Sequence, residues 1–164
     1  MTRGVILFAF NSPKYNYCEM AEYTAKRIEH FLGLPVTVVT DEQSLPAKQS
    51  FKFNDAIIVE PDTTNIRDKQ VWINKGRYQA YELSPYDETL LLDTDYMVNS
   101  NTLNKLFDIP TDFCCHDTTS FLMHPGVPQE MLSTYSFNTL WATVVMFKKT
   151  ERAKQIFECL EMVQ

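Results

Sequence analysis

The first part of the chain alternates an apolar run, a helical pattern and a second apolar run. Val5 to Phe10 is continuously apolar and short, which predicts a strand that is buried on both faces. Apolar residues then recur at steps of three and four as far as Leu32, so we expect an amphipathic helix that begins at Ser12 and Pro13. The β-branched run from Val36 to Thr40 predicts a second strand, and the three elements together form a βαβ unit.

The same alternation continues to the end of the chain. Apolar runs predict further strands at residues 56–59, 89–92, 112–116 and 140–147. Helical spacing predicts helices over about 68–83 and 101–107. Thr150 caps a last predicted helix, whose inward-facing residues are Ala153, Ile156, Phe157 and Leu160. Residues 117–137 form a long loop, and loops of that length in a compact domain are usually functional or mobile.

Composition indicates a single α/β domain that covers residues 1–164. Of the 164 residues, 45% are apolar and 22% are charged, which is close to the globular norm for a chain of this size. The net charge of -6 repels a phosphate backbone, so no nucleic-acid partner is expected. No apolar run approaches the roughly 20 residues that span a bilayer, and the start lacks a signal-peptide pattern, so we expect a cytoplasmic protein without a membrane span.

The four cysteines do not have the spacing of a metal site. They are Cys18, Cys114, Cys115 and Cys159, without a CxxC pair. We interpret them as reduced thiols of the core, with metal binding by cysteine as the alternative. In a strand, the adjacent Cys114 and Cys115 would point to opposite faces of the sheet.

An acidic pair directly follows the predicted strand at 89–92. Asp93, Thr94 and Asp95 stand at its carboxyl end, which is where ligands bind in open α/β sheets. If the backbone stays extended, carboxylates separated by one residue point the same way and can hold one cation. Oxygen ligands suit Mg²⁺ or Mn²⁺, with coordination positions left for phosphate oxygens. The alternative is two solvated carboxylates, because the pair alone is a weak motif.

The stretch around the acidic pair resembles a known enzyme family. Arg77 to Val98 (RYQAYELSPYDETLLLDTDYMV) resembles the region of GT-A glycosyltransferases in which a helix ends and an apolar strand presents DxD. It looks closest to the family 8, glycogenin-like branch, in which a basic residue has the spacing of Arg77 from Asp93. The opening VILFAFNS and the later FNTLWATVVMFKKTERAKQIF are also similar to parts of this fold, so the resemblance covers most of the chain.

The resemblance implies a GT-A fold, a Rossmann-like three-layer α/β/α sandwich with a mostly parallel central sheet. In that fold Asp93 and Asp95 would bind Mn²⁺ or Mg²⁺, and Arg77 would face the diphosphate of the donor. Lys75 and Thr94 would belong to the same donor site. A simpler interpretation of Arg77 and Lys75 is that both are solvated charges on a helix.

By the same resemblance, the nucleoside of the donor would lie at the ends of the first two strands. Ala9, Phe10 and Asn11 would line the base and ribose, and Asp41 would lie near the base. The alternatives are a core position for Phe10 and the cap of a turn for Asp41.

The implied function is metal-dependent transfer of a sugar from a nucleotide-diphosphate donor, a UDP- or GDP-sugar, to an acceptor hydroxyl. The acceptor, a sugar or a protein, would lie under the loop at 117–137. Asp117 would act there as a catalytic or sugar-orienting carboxylate, with a role in a loop turn as the alternative. Closure of the loop would exclude water that would otherwise hydrolyse the donor.

The chain departs from the family at its carboxyl end. GT-A enzymes often complete the metal site with a histidine far downstream, whereas this sequence ends at Gln164, soon after the last predicted helix. We therefore expect a GT-A fold that is short at this end. His116 and His124 are the candidates to replace the missing ligand, although histidines in such places are more often hydrogen-bonded structural residues.

Two other functions compete with glycosyl transfer. The first is a catalytically degenerate module that keeps the fold and binds a nucleotide sugar or a partner without turnover. The second is a phosphatase of the haloacid dehalogenase type, which also places DxD after an apolar strand. That family normally has the motif near the amino terminus, with Thr or Val two places after the second Asp, where this chain has Met97.

Overall fold

The computed structural model describes residues 1–46, 48–60, 66–67, 70–71, 73–116 and 141–162. Side chains are described at these positions with the exception of 66–67, 70–71, 73–75, 116 and 141. The predicted loop at 117–137, with the candidates Asp117 and His124, lies outside the described residues. The side chains of Lys75 and His116 lie outside them as well.

A six-stranded sheet forms the centre of the described structure. The strands, in chain order, are β1 (Arg3–Phe8), β2 (Val36–Thr40), β3 (Asp55–Ile58), β4 (Ile66–Arg67), β5 (Gln70–Val71), β6 (Glu88–Leu92), β7 (Phe113–His116) and β8 (Trp141–Lys148). The sheet has the order β3-β2-β1-β6-β8-β7, and β4 pairs only with β5. Strands β3, β2, β1 and β6 are parallel, whereas β8 is antiparallel to both β6 and β7. The sheet is therefore mostly parallel, as the alternation of strands and helices predicts.

Helices cover both faces of this sheet. One face carries α1 (Tyr17–Leu32) and a 3-10 helix (Thr102–Asp108), and the other carries a 3-10 helix (Ile73–Gln79), α2 (Ala80–Leu83) and α3 (Glu151–Met162). Each face of the sheet has its own hydrophobic core. Alternate residues of β1 pack in one core or the other, because successive side chains of a strand point to opposite faces. Val5 packs in the α1-side core, and Ile6 packs in the α3-side core. The predicted three-layer α/β/α arrangement is thus observed.

The first helix begins later than its sequence pattern suggests. We predicted a start at Ser12 and Pro13, but α1 starts at Tyr17, after Asn16. The side-chain oxygen of Asn16 accepts the backbone N–H of Glu19 at 3.1 Å, which is the bond that an N-cap residue makes. Ser12 instead accepts the backbone N–H of Tyr15 at 3.0 Å, in a turn that precedes the helix. The chain therefore has two capping side chains, and only the second one starts the helix.

The second predicted helix starts later than expected, and most of it is a 3-10 helix. In place of one helix over 68–83, the structure has the β4–β5 pair, then the 3-10 helix Ile73–Gln79 and a single α-helical turn, Ala80–Leu83. Two features of the sequence explain the difference. The run Val71 to Ile73 consists of β-branched and aromatic residues, which favour strands, and Gly76 weakens an α-helix by about 1 kcal/mol.

The remaining elements fall within two residues of their predicted bounds, but some side chains point elsewhere. In α3, Ala153 and Phe157 are buried as predicted, whereas Leu160 is 41% exposed. All four cysteines are thiols, and Cys114 and Cys115 pack against different cores, as a strand requires. Cys159 is exposed, so its assignment to the core was wrong. No helix in the described parts of the chain is long and apolar enough to cross a membrane.

We predict that Gly4→Ala destabilises the protein, because no side chain fits at this point of β1. A Cβ at Gly4 would lie 2.4 Å from the ring of Tyr86, whose position is fixed by burial and by a 2.9 Å hydrogen bond to Thr37. Such overpacking costs about 1–3 kcal/mol of the free energy of unfolding. Gly76→Ala is the control, because its nearest atom is 3.8 Å away. Urea unfolding of both variants tests the prediction, and equal stabilities would contradict it.

Candidate functional site

One edge of the sheet brings together most of the predicted site residues. Strands β1, β2 and β6 are parallel, and β1 lies between the other two. Their carboxyl ends therefore meet at the same edge, and the chain continues from them into Ala9, Asp41 and Asp93. In open α/β sheets this edge is where ligands bind.

The acidic pair stands on a turn. The N–H of Asp93 donates to the carbonyl of Thr143 at 3.1 Å, which extends the pairing of β6 with β8 by one residue. The N–H of Tyr96 then donates to the carbonyl of Asp93 at 3.1 Å, so Thr94 and Asp95 occupy the centre of a four-residue turn. The backbone is therefore not extended here, so the condition under which strand alternation would align the two carboxylates is not met. The turn, and not strand alternation, sets the directions of the two carboxylates.

Asp93 forms an ion pair with Arg77 in this structure. Nη1 of Arg77 donates to Oδ1 of Asp93, and Nη2 donates to the carbonyl oxygen of Ala142 at 2.9 Å. The side chains are 19% and 29% exposed, so both charges are partly removed from water. Arg77 is therefore not a solvated helix charge. It connects the end of β6 to the start of β8, at the same edge of the sheet as Asp41.

The other acid of the pair faces solvent. Asp95 is exposed, and no residue that the structure describes binds its carboxylate. Thr94, between the two acids, is 6% exposed, and its carbonyl accepts the hydroxyl of Thr24 at 2.6 Å. Within the described ranges, no group of three or more His, Cys, Asp or Glu side chains is arranged to hold a metal ion. The described part of the chain thus offers a cation two carboxylates at most.

Asn11, Ser44 and Asp41 form a hydrogen-bonded network at the ends of β1 and β2. The backbone N–H of Asn11 donates to Oγ of Ser44 at 2.7 Å, and that hydroxyl donates to Oδ2 of Asp41 at 3.0 Å. Oδ1 of Asp41 accepts the N–H of Ser44 at 2.8 Å, so Asp41 caps a turn. The side-chain amide of Asn11 is also bonded within the protein. Its N–H donates to the carbonyl of Ser44 at 3.2 Å, and its oxygen accepts the backbone N–H of Cys18 at 3.0 Å.

Ala9 and Phe10 lie in the two cores, where little of either side chain reaches solvent. Ala9 is 0% exposed in the α1-side core, and Phe10 is 7% exposed in the α3-side core. The carbonyl of Ala9 accepts the hydroxyl of Thr40 and the thiol of Cys18, the latter at 3.3 Å. Burial raises the pKa of the Cys18 thiol, and the hydrogen bond to Thr40 opposes that rise. Cys18 therefore acts as a buried donor that ties the helix to the end of β1.

Four residues that hold this edge together were missed in the sequence. Ser44 had a signal, since Asp followed by Ser three places later is a common turn cap. Thr24 also had a signal in the sequence, because it is a polar residue on the buried face of α1. Arg27 lies one turn beyond Thr24 on the same helix. Ala142 had none, since its contribution is a backbone carbonyl.

We predict that Ser44→Ala weakens the corner between β1 and β2. Ser44 is 4% exposed, and its hydroxyl bonds both Asn11 and Asp41, so the variant leaves two partly buried polar groups without this partner. The expected loss is about 1–3 kcal/mol of unfolding free energy, with faster hydrogen exchange at the Asn11 amide. Ser100→Ala is the control, because that hydroxyl bonds Thr102 in an exposed turn. A loss no larger than the control's would contradict the prediction.

Several solved structures share this architecture. The apo form of the glycosyltransferase GlyE of Streptococcus pneumoniae TIGR4 matches with a TM-score of 0.60 and 15% identity, over 99% of this chain and 38% of GlyE. The galactosyltransferase LgtC, in complex with donor and acceptor sugar analogues, matches with a TM-score of 0.62 and 20% identity, over 94% and 61% of the two chains. Apo mouse xyloside xylosyltransferase 1 matches with a TM-score of 0.53 and 10% identity, over 97% and 71%.

The likeness is one of structure. No family model matches the chain, and no curated protein matches its sequence. The chain spans well under half the length of GlyE and about three fifths of the length of LgtC. Because the matches cover nearly all of this chain, the fold expected from the sequence is confirmed. The chain has the α/β fold of the GT-A glycosyltransferases.

Proposed function

We propose that this chain carries the donor site of a metal-dependent glycosyltransferase that moves a sugar from a UDP- or GDP-sugar to an acceptor hydroxyl. The observation that carries the proposal is the joint position of Arg77, Asp93 and Asp95 at the ligand-binding edge of a GT-A sheet. The three similar structures are all named as glycosyltransferases, which supports transfer of a sugar.

The acidic pair fits a hard divalent cation. Asp95 has an exposed carboxylate, and Asp93 uses only Oδ1 for Arg77, so each acid has at least one oxygen that no described residue binds. Carboxylate oxygens are the ligands that Mg²⁺ and Mn²⁺ prefer, with phosphate oxygens and water in the other positions. A bound cation of this kind would stabilise the negative charge of a departing diphosphate by several kcal/mol.

Arg77 is placed to bind the diphosphate of the donor. A guanidinium has five N–H donors, and the described contacts of Arg77 occupy only those to Asp93 and Ala142. The remaining donors can make charge-assisted bonds to phosphate oxygens that approach the same edge. The ion pair with Asp93 holds the guanidinium in place before the donor arrives, so little side-chain freedom is lost on binding.

The nucleoside would lie at the corner between β1 and β2. Asp41 is held by Ser44, and each of its oxygens has a second lone pair for an N–H group of a ligand. Uracil and guanine both carry such N–H groups, which agrees with a UDP- or GDP-sugar. The side chain of Phe10 packs in the core, and that of Asn11 is bonded to Ser44 and Cys18. Their proposed role is therefore to support the backbone of this corner.

In the proposed reaction, the bond between the sugar's anomeric carbon and the diphosphate oxygen breaks, and the electron pair stays on the diphosphate. A bond forms between that carbon and the acceptor oxygen, which loses its proton. Arg77 stabilises the leaving group electrostatically, because charge accumulates there in the transition state. Asp117 remains the candidate for the group that orients the sugar or takes the proton.

A panel of nucleotide sugars tests the proposal with Asp95→Asn as the matched variant. The wild-type protein is incubated with UDP- and GDP-sugars and Mn²⁺, and both donor binding and release of nucleoside diphosphate are measured. Asp95→Asn should weaken Mn²⁺-dependent binding while changing stability by less than about 1 kcal/mol, because the residue is exposed. Asp108→Asn is the control, since its side chain is 77% exposed beside Arg3, at the other end of β1.

The outcomes of the panel separate the glycosyltransferase from the degenerate module, and release of phosphate from phosphomonoesters in a parallel assay would favour the phosphatase. Release of nucleoside diphosphate supports the enzyme, and tight binding without release supports a degenerate donor-binding module. Absence of donor binding, or full binding by Asp95→Asn, would refute the proposed metal site. Collapse of stability in Asp95→Asn would show that the acid is structural.

Arg77→Ala should weaken the binding of the nucleoside diphosphate more than that of the free nucleoside. The variant removes a charged hydrogen bond worth about 1.5–3 kcal/mol to the diphosphate, whereas the base corner is formed by other residues. Calorimetric titration with UDP and uridine, or with GDP and guanosine, measures the difference. Arg152→Ala is the control, because that side chain is 81% exposed and pairs only with Asp112 among the described residues. Equal losses for diphosphate and nucleoside would remove the role assigned to Arg77.

A further inference from the structure

Helix α1 binds the acidic turn from the side opposite to Arg77. The hydroxyl of Thr24 donates to the carbonyl of Thr94 at 2.6 Å, and Nε of Arg27 donates to the carbonyl of Val98 at 2.7 Å. A further bond joins Nη2 of Arg27 to the side chain of Asn99. Segment 93–99 is therefore attached to the helix at both of its ends.

The bond from Thr24 to Thr94 is buried, the bond from Arg27 to Val98 is partly buried, and the bond from Arg27 to Asn99 is exposed. Thr24 is 2% exposed, Thr94 is 6% exposed and Val98 is 2% exposed. The guanidinium of Arg27 also lies over the ring of Phe31, 5.0 Å from its centroid. The buried bond between Thr24 and Thr94 is costly to break, because the freed groups cannot pair with water.

The spacing of the two helix residues explains how they act together. Thr24 and Arg27 are three places apart, so they lie on the same side of α1, one turn from each other. Both donate to backbone carbonyls, which fixes peptide planes and not only side chains. The carbonyl of Thr94 belongs to the peptide that leads into Asp95, so the bond from Thr24 fixes the backbone from which that carboxylate extends.

We propose that Thr24 and Arg27 are positioning residues that hold the acidic turn in the arrangement in which Asp95 binds a divalent cation. This inference rests on the proposed function, since it assigns the purpose of the turn to the metal. The physical basis is preorganisation: a carboxylate on a fixed backbone loses less freedom when it becomes a ligand. Mutation of residues that orient metal ligands in this way typically lowers the metal affinity by about 10- to 100-fold.

Thr24→Val tests the inference, with Thr24→Ser and Thr37→Val as matched variants. Valine keeps the shape of threonine and removes the hydroxyl, whereas serine keeps the hydroxyl. Thr37 is also a buried threonine with one side-chain partner, Tyr86 at 2.9 Å, but it lies on β2 away from the acidic turn. Thr24→Val and Thr37→Val should therefore lose similar stability, so a difference in metal binding between them cannot come from stability alone.

The measurement is Mn²⁺ affinity of the folded protein by electron paramagnetic resonance titration, below the unfolding temperature of every variant. Thr24→Val should bind Mn²⁺ about tenfold more weakly, Thr24→Ser should retain most of the affinity, and Thr37→Val should match the wild type. Arg27→Met keeps a long unbranched side chain at this position and removes both hydrogen bonds to the turn, and it should also weaken Mn²⁺ binding. It provides the same test if Thr24→Val does not fold.

The failure of this inference differs from the failure of the proposed function. If Asp95→Asn loses Mn²⁺ binding while Thr24→Val and Arg27→Met retain it, the metal site stands and the positioning role is wrong. If Thr37→Val loses as much affinity as Thr24→Val, the effect is general and the positioning role is again wrong. If the wild-type protein does not bind Mn²⁺, or if Asp95→Asn binds it fully, the proposed metal site itself is refuted and the inference with it.

Discussion

The parallel pairing of β1 with β2 and β6 is the constraint on which the whole candidate site depends. Because these strands run in one direction, their carboxyl ends open at a single edge, and residues far apart in the chain become neighbours there. β8 contributes from the opposite direction, so that its beginning, and not its end, reaches the same edge. The backbone of β8 then supplies carbonyls for Arg77 and for the amide of Asp93. Antiparallel insertion of one strand thus places a hydrogen-bonding backbone beside the acids.

The charged side chains described at this edge of the sheet are mostly acidic. Among the described residues, three carboxylates (Asp41, Asp93 and Asp95) and one guanidinium (Arg77) give this edge a net negative charge, and the whole chain is acidic as well, with a net charge of -6. Arg77 reduces the repulsion between the acids by neutralising Asp93, which lowers the cost of holding the two carboxylates close together at partial burial. A diphosphate alone would add further negative charge, so a divalent cation arriving with it would restore the balance. The proposed function therefore requires the donor and the cation to bind in a coupled manner.

The architecture could be predicted from the sequence more completely than the site could. Apolar runs identified the strands because those in a parallel sheet are buried on both faces, and the position of Asp93 after β6 followed from its strand. The prediction failed where local chemistry competes: Asn16 rather than Ser12 caps α1, and the β-formers before Gly76 interrupt the second helix. The ion pair of Arg77 and the anchor from Thr24 depend on tertiary contacts: the sequence marks Thr24 as a polar residue on the buried face of α1, but it does not identify the partner carbonyl. The turn at Thr94 is closed by a local bond between Asp93 and Tyr96, which the assumption of an extended backbone overlooked.

The 3-10 winding of residues Ile73–Gln79 sets how far Arg77 lies along the axis of its helix. A 3-10 helix rises about 2.0 Å per residue and an α-helix about 1.5 Å, so each residue that changes its winding shifts the guanidinium by roughly 0.5 Å along the axis. Such helices are seldom this long, because their hydrogen bonds are less well aligned. Arg77 therefore stands on a segment that is longer per residue than an α-helix, whereas Asp93 directly follows a strand of the central sheet. The winding of the one and the pairing of the other together set the separation of the two charges at this edge.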